Sequence, residues 1–170
     1  QYCPEEVVTR GQMASFLVRM FKLTDGGEID AFTDDDGTTH EIEINKLAHA
    51  GITKGCSPTT FCPSNPVLRG EMASFLARAI PLTAGVGNDY FRDDDENIHE
   101  ANIDRAAAAG IASGCGLWRF CPLAWITRGQ MAGFLHRVVM PVSPPPHPAP
   151  GPQTLFVALT GTDDGNTDGK

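Results

Sequence analysis

Three arginines recur in one local phrase: Thr9-Arg10-Gly11-Gln12, Leu68-Arg69-Gly70-Glu71 and Thr127-Arg128-Gly129-Gln130. A guanidinium offers a planar fork of donors suited to bidentate contact, so Arg10, Arg69 and Arg128 are candidate ligands for an anionic group. The same residues also suit a helix start held by a local ion pair, and both readings stay open. A second constellation is acidic. Asp34-x-Asp36-x-Thr38-x-x-Glu41 and Asp93-x-Asp95-x-Asn97-x-x-Glu100 place oxygen ligands at alternating positions ahead of a helix. Calcium favours such oxygen clusters, although acids at a helix N-terminus also serve the dipole without any ion. Cys56 and Cys62 bracket a short turn, and Cys115 and Cys121 repeat it. Disulfides Cys56–Cys62 and Cys115–Cys121 fit better than zinc, because Cys-x5-Cys is not a zinc-knuckle spacing and no second thiol pair joins it. Such bridges imply an oxidising, extracellular location. His40 and His99 suit structural hydrogen bonds better than proton transfer or metal ligation. Trp118 and Trp125 suit either stacking on a sugar ring or closing the end of the array.

The elements that position these residues repeat. Cys3, Cys62 and Cys121 stand 59 residues apart, and the helical phrase ending Met-Ala-Ser/Gly-Phe-Leu follows each at the same distance. Between them Phe32, Asp34, Asp36, His40, Ile44, Gly51, Gly55, Cys56 and Phe61 return at Phe91, Asp93, Asp95, His99, Ile103, Gly110, Gly114, Cys115 and Phe120. An ungapped period of this length means a repeat array. The expected units are 1–24 (the end of one repeat), 25–83 and 84–141. Each reads as two helices. The first, about His40 to Ala50, carries Ile44, Leu47 and Ala48 on one face, with Gly51 at a left-handed cap. The second carries Met72, Phe75, Leu76 and Ala79 on one face. Capping boxes open it at Thr9-x-x-Gln12 and Thr127-x-x-Gln130, and Leu68 breaks that pattern. The fold class is therefore mainly α, tandem two-helix repeats with short extended segments.

The order Phe-x-Asp, His, Ile-bearing helix, Gly-Ile-x-x-Gly, Phe-x-Pro and Thr-Arg-Gly-Gln-Met-Ala resembles the S-layer homology module over residues 1–140, in a cysteine-bearing secreted variant. The resemblance implies three modules packed as a pseudo-trimer that bind cell-wall polysaccharide, a pyruvylated polymer in studied cases. Arg10, Arg69 and Arg128 match the arginine that meets the polymer in that family. Gly11, Gly70 and Gly129 depart from its alanine, and His40-Glu41 and His99-Glu100 depart from its His-Trp pair. A lost aromatic and a gained carboxylate weigh against an anionic sugar.

Residues 142–153 form a proline-rich linker, with seven prolines among residues 141–153, able to reach about 40 Å at ~3.1 Å per residue. The run from Thr154 resembles the opening strand of a right-handed β-helix domain occupying 154–170 and beyond. Both ends read as cut. The net charge of -8 and the lack of a basic patch interleaved with aromatics argue against nucleic acid. No apolar run is long enough for membrane insertion. No convergent nucleophile, base and orienter exists, so no catalysis is expected in this region. The expected role is non-covalent anchoring of a secreted protein to cell-envelope glycan. A self-associating structural array, or an accessory region of an extracellular polysaccharide-acting enzyme, stand as alternatives.

Overall fold

In the computed structural model, residues 2–85 and 87–146 are described. Most of the linker expected at 142–153, and the β-helix-like start expected at 154–170, lie outside the described residues. The chain is mainly helical: α1 (Arg10–Phe21), α2 (Glu41–His49), α3 (Arg69–Ala79), α4 (Glu100–Ala108) and α5 (Arg128–Val139). α1 packs on α2 and α3 on α4. Their contact faces hold Met13, Leu17, Ile44 and Leu47, and again Met72, Leu76, Ile103 and Ala107, all fully buried.

The 59-residue step in sequence becomes a closed ring in space. Three short extended segments precede α1, α3 and α5 and pair antiparallel, Val7 with Thr127, Pro66 with Thr9 and Trp125 with Leu68. Their hydrogen bonds run head to tail around an axis. Val67 N–H donates to Val8 O (2.9 Å), Ile126 N–H to Val67 O (2.9 Å), and Val8 N–H to Ile126 O (3.0 Å). The side chains of Val8, Val67 and Ile126 are fully buried at that axis. Apolar burial and backbone satisfaction thus coincide, as an interior segment of three short strands requires.

Each helix following the ring has its free N-terminal donors satisfied by the neighbouring repeat. Arg10 N–H donates to Asn65 O and Gly11 N–H to Pro63 O. The step recurs with Arg69 to Ala124 and Gly70 to Pro122, and again with Arg128 to Glu6 and Gly129 to Pro4. The next donor is met by the cap, since Thr9 Oγ1 accepts from Gln12 N–H and Thr127 Oγ1 from Gln130 N–H, both at 3.3 Å. The Gln side chains answer in return, completing both capping boxes. Leu68 has no oxygen to offer, so α3 keeps only half the box, with Glu71 Oε2 accepting from Leu68 N–H at 2.9 Å. Leu68→Thr is expected to stabilise the protein by about 1 kcal/mol, read as a shifted urea midpoint at unchanged slope; no shift would mean that the lost leucine contacts offset the new bond.

α2 and α4 end where expected. Gly51 takes φ 70° and Gly110 φ 68°. Gly51 N–H bonds Ala48 O while Ile52 N–H bonds Leu47 O, and Gly110 and Ile111 repeat both bonds on Ala107 and Ala106. These are Schellman caps, which need a residue free to adopt left-handed φ. Two other glycines answer to a close approach. A Cβ on Gly11 would stand 2.7 Å from His40 Cδ2, and one on Gly70 3.0 Å from His99 Cδ2. Glycine at these two positions therefore lets an imidazole sit against the helix, where His40 Nδ1 meets Ser15 Oγ (2.9 Å) and His99 Nδ1 meets Ser74 Oγ (2.8 Å). Burial pulls the His99 imidazole pKa down. Within the short turns the disulfides Cys56–Cys62 and Cys115–Cys121 are formed, each with Cα atoms 6.1 Å apart, and Cys3 is free.

Candidate functional site

Because each second helix starts at a junction between repeats, its first side chain is delivered into that junction. The Arg10 Nε–H donates to Phe61 O (2.7 Å), Arg69 Nε–H to Phe120 O (3.0 Å), and Arg128 Nε–H to Tyr2 O (2.8 Å). Tyr2, Phe61 and Phe120 occupy one position of the 59-residue step. Each guanidinium is also flanked by two rings: Arg10 by Phe61 and Phe75, Arg69 by Phe120 and Phe134, and Arg128 by Tyr2 and Phe16, with centroids 4.7 to 5.5 Å away. Such a clamp fixes the plane of the guanidinium and adds cation–π attraction. The pattern is threefold, and all three arginines serve the junctions structurally.

What differs is the company each charge keeps. Arg10 Nη1 pairs with Glu71 Oε1 at 2.8 Å, and the arginine is only 3% exposed. That junction is neutralised from within. At the next junction the position of Glu71 is held by Gln130, which brings no charge. Arg69 Nη2 turns instead to Ser113 O at 3.1 Å. Arg69 lies in the wall of an open groove of about 520 Å³ that also includes Glu5, Gln130, Thr127, Phe134 and Arg137. Burial lowers the Arg69 pKa, and the positive charge of Arg137 lowers it further. Among the described residues neither Arg69 nor Arg137 forms a salt bridge, and although Glu5 shares the groove wall and Asp93 acts on Arg69, the two guanidinia outnumber the one carboxylate that lines it. Arg128 is half-buried, and Gln12 holds the matching position at its junction. Among the described residues no helix covers the face of α5 that corresponds to the faces of α1 and α3 beneath α2 and α4.

The acidic loops divide their eight candidate ligands. Asp34 spends both oxygens on the cysteine turn, accepting from Phe61 N–H (2.6 Å) and Cys62 N–H (2.7 Å). Asp93 does the same with Phe120 and Cys121 at 2.6 and 2.9 Å, with Arg119 3.6 Å away. Glu41 accepts from Gly37 N–H and Glu100 from Glu96 N–H. Thr38 and Asn97 accept from the N–H of His40 and His99. Those six residues hold the loop to the helix and the cysteine turn. Asp36 and Asp95 turn another way, toward Asp30 with Asp35 and toward Asp89 with Asp94. Burial pushes the Asp35 carboxyl up to about 6 and the Asp94 carboxyl to about 7, with the neighbouring charge of Asp104 adding to the latter.

Trp118 is half-buried and lines a small hollow with Tyr90, Phe91, Pro145 and Pro146, while Trp125 is exposed beside the ring pairing with Leu68. Neither lies in the Arg69 groove. Arg137 belongs to no motif that singles it out, although Arg19, Arg78 and Arg137 recur at the same 59-residue step. The alternating oxygen pattern likewise skips Asp30, Asp35, Asp89 and Asp94. The signal for both lay in the repeat alignment, which compares equivalent positions rather than motifs.

Residues 31–73 match the model of the S-layer homology domain. An endoglucanase of Bacillus sp. (strain KSM-635) is 35% identical over 94 residues, which are 55% of this chain and 10% of that enzyme. The chain thus spans about a tenth of the length of this relative. The likeness to the S-layer homology domain covers 43 of the 170 residues, about a quarter of the chain. No helix among the described residues is long and apolar enough to cross a membrane.

Proposed function

We propose that the array holds its parent protein non-covalently on an acidic cell-envelope polysaccharide, with the groove at Arg69 and Arg137 as the principal binding site. The observation that supports this most is the change of company between junctions. Glu71 neutralises Arg10, whereas Gln130 leaves Arg69 without a salt-bridge partner in an open groove whose wall holds a second guanidinium, Arg137, against one carboxylate, Glu5. The Arg69 guanidinium is already held between two rings, so a charge-assisted contact to its remaining edge, with Arg137 beside it in the groove wall, costs little further ordering of that side chain. Glu41 and Glu100, which weighed against an anionic sugar in the sequence, are tied to loop N–H groups and so bear less on the grooves. The likeness to an endoglucanase supports a second, compatible reading, in which the protein carried to the envelope acts on polysaccharide.

The test changes the charge of the groove and leaves the scaffold alone. Gln130→Glu copies the residue already present in the equivalent place of α3, so the capping box and the fold are retained. It is expected to weaken binding to purified acidic wall polymer at least tenfold, the effect of about 1.4 kcal/mol, and Arg137→Gln to do the same. Unchanged affinity in both folded variants would remove this groove from the account.

A further inference from the structure

We infer that each acidic loop holds a divalent cation of the calcium class, liganded by Asp30, Asp35 and Asp36 in the first loop and by Asp89, Asp94 and Asp95 in the second. This inference is independent of glycan binding. In each trio one carboxylate oxygen from every residue lies within 4.8 Å of the other two. That is the spread available to ligands of one calcium ion, since oxygens 2.3–2.6 Å from a common centre stand at most about 5 Å apart. The second observation concerns the middle residue. Asp35 and Asp94 are fully buried, and neither oxygen of either carboxylate has a hydrogen-bond partner. Folded proteins rarely leave a buried carboxylate without donor or counter-charge, and here two more acids converge on each. Among the described residues no lysine, arginine or histidine pairs with Asp35 or Asp94. The arrangement occurs twice at the 59-residue step, so a local accident does not account for it.

The ligands are all oxygen, which favours a hard cation over zinc or copper. The loop's remaining contacts show what the ion would do. Asp34, next to Asp35, grips the N–H groups of Phe61 and Cys62, and Phe61 O receives Arg10. Fixing residues 30–36 therefore fixes the junction between repeats. The second site should bind more tightly, because Asp104 replaces Asn45 and adds a negative charge near Asp94.

The test is calorimetric titration of the metal-stripped full chain with calcium chloride, together with thermal unfolding in calcium or chelator. Two ions per chain are expected, the tighter lost in Asp95→Asn and the weaker in Asp36→Asn, both exposed positions where the fold should survive. Calcium at a hundredfold excess over its Kd should multiply the folded-to-unfolded ratio about a hundredfold per site. The rival is that Asp35 and Asp94 are simply protonated. It predicts no heat, no calcium-dependent shift in unfolding, and Asp35→Asn and Asp94→Asn variants as stable as the parent; that result overturns the proposal. Full calcium binding by the Asp36→Asn/Asp95→Asn double variant would overturn it equally, by placing the ions elsewhere.

Discussion

Phe120→Ala is expected to destabilise the protein by about 3–5 kcal/mol, the range for truncating a large buried aromatic. The ring is fully buried, lies 5.3 Å from that of Phe91 and forms one wall of the clamp on Arg69. Truncation leaves a cavity beside Phe91 and strips one face of a buried guanidinium. The backbone bonds of residue 120, received by Asp93 and given by Arg69, do not depend on the ring. The loss should therefore come from packing. Against the 5–15 kcal/mol that usually holds a domain, it is large enough to move the thermal midpoint by on the order of 10 °C. Phe120→Leu, which keeps most of the volume, should lose about 1.5 kcal/mol or less. Equal losses in the two variants would mean that backbone rearrangement, and not the cavity, sets the cost.

Arg10→Ala should cost about 3 kcal/mol, the lower end for removing one member of a buried ion pair. The substitution strands the Glu71 carboxylate, removes the donor to Phe61 O and empties the space between two rings. Glu71 keeps a side-chain exposure of 24%, so water relieves part of the stranded charge. Replacing both partners by leucine should return stability to within about 1.5 kcal/mol of the parent, since buried pairs trade almost evenly against apolar contacts. Urea unfolding of the two single variants and the double variant measures that coupling. A loss below about 0.5 kcal/mol in Arg10→Ala, the scale of an ordinary surface change, would contradict the structural role given to this junction.

These two expectations mark the boundary of what was legible before the fold was known. Period, helix stripes, caps and the cysteine turn all followed from local spacing, because each is a short-range physical requirement. α2 was placed within a residue of its ends, since Gly51 and Ile52 encode their own stop. A threefold arrangement was implied by the resemblance, but the residues at its centre were not legible. Val8, Val67 and Ile126 look like single apolar residues before a cap, and only closure of three segments around an axis makes them the centre of the core. The arginines were legible as a set but not as individuals. Glu71 against Gln12 and Gln130 reads as a neutral exchange within a capping box, because the box accepts either side chain. Its meaning depends on which arginine from another repeat arrives beside it. The acidic loops show the same limit. Alternation along the chain singled out Asp34 and Asp36, yet the folded loop spends Asp34 on Phe61 and Cys62 and turns Asp35 inward. A strand-like alternation does not survive a turn.

The measurement that bears most directly on the central claim is co-sedimentation of the oxidised protein with purified cell-wall sacculi, before and after acid extraction of their secondary polymers. The account predicts binding to intact sacculi, its loss on extraction, and its loss from intact sacculi in Gln130→Glu and Arg137→Gln. Failure of the folded parent protein to sediment with either preparation would contradict attachment through an envelope polymer and leave the array as a scaffold for protein contacts.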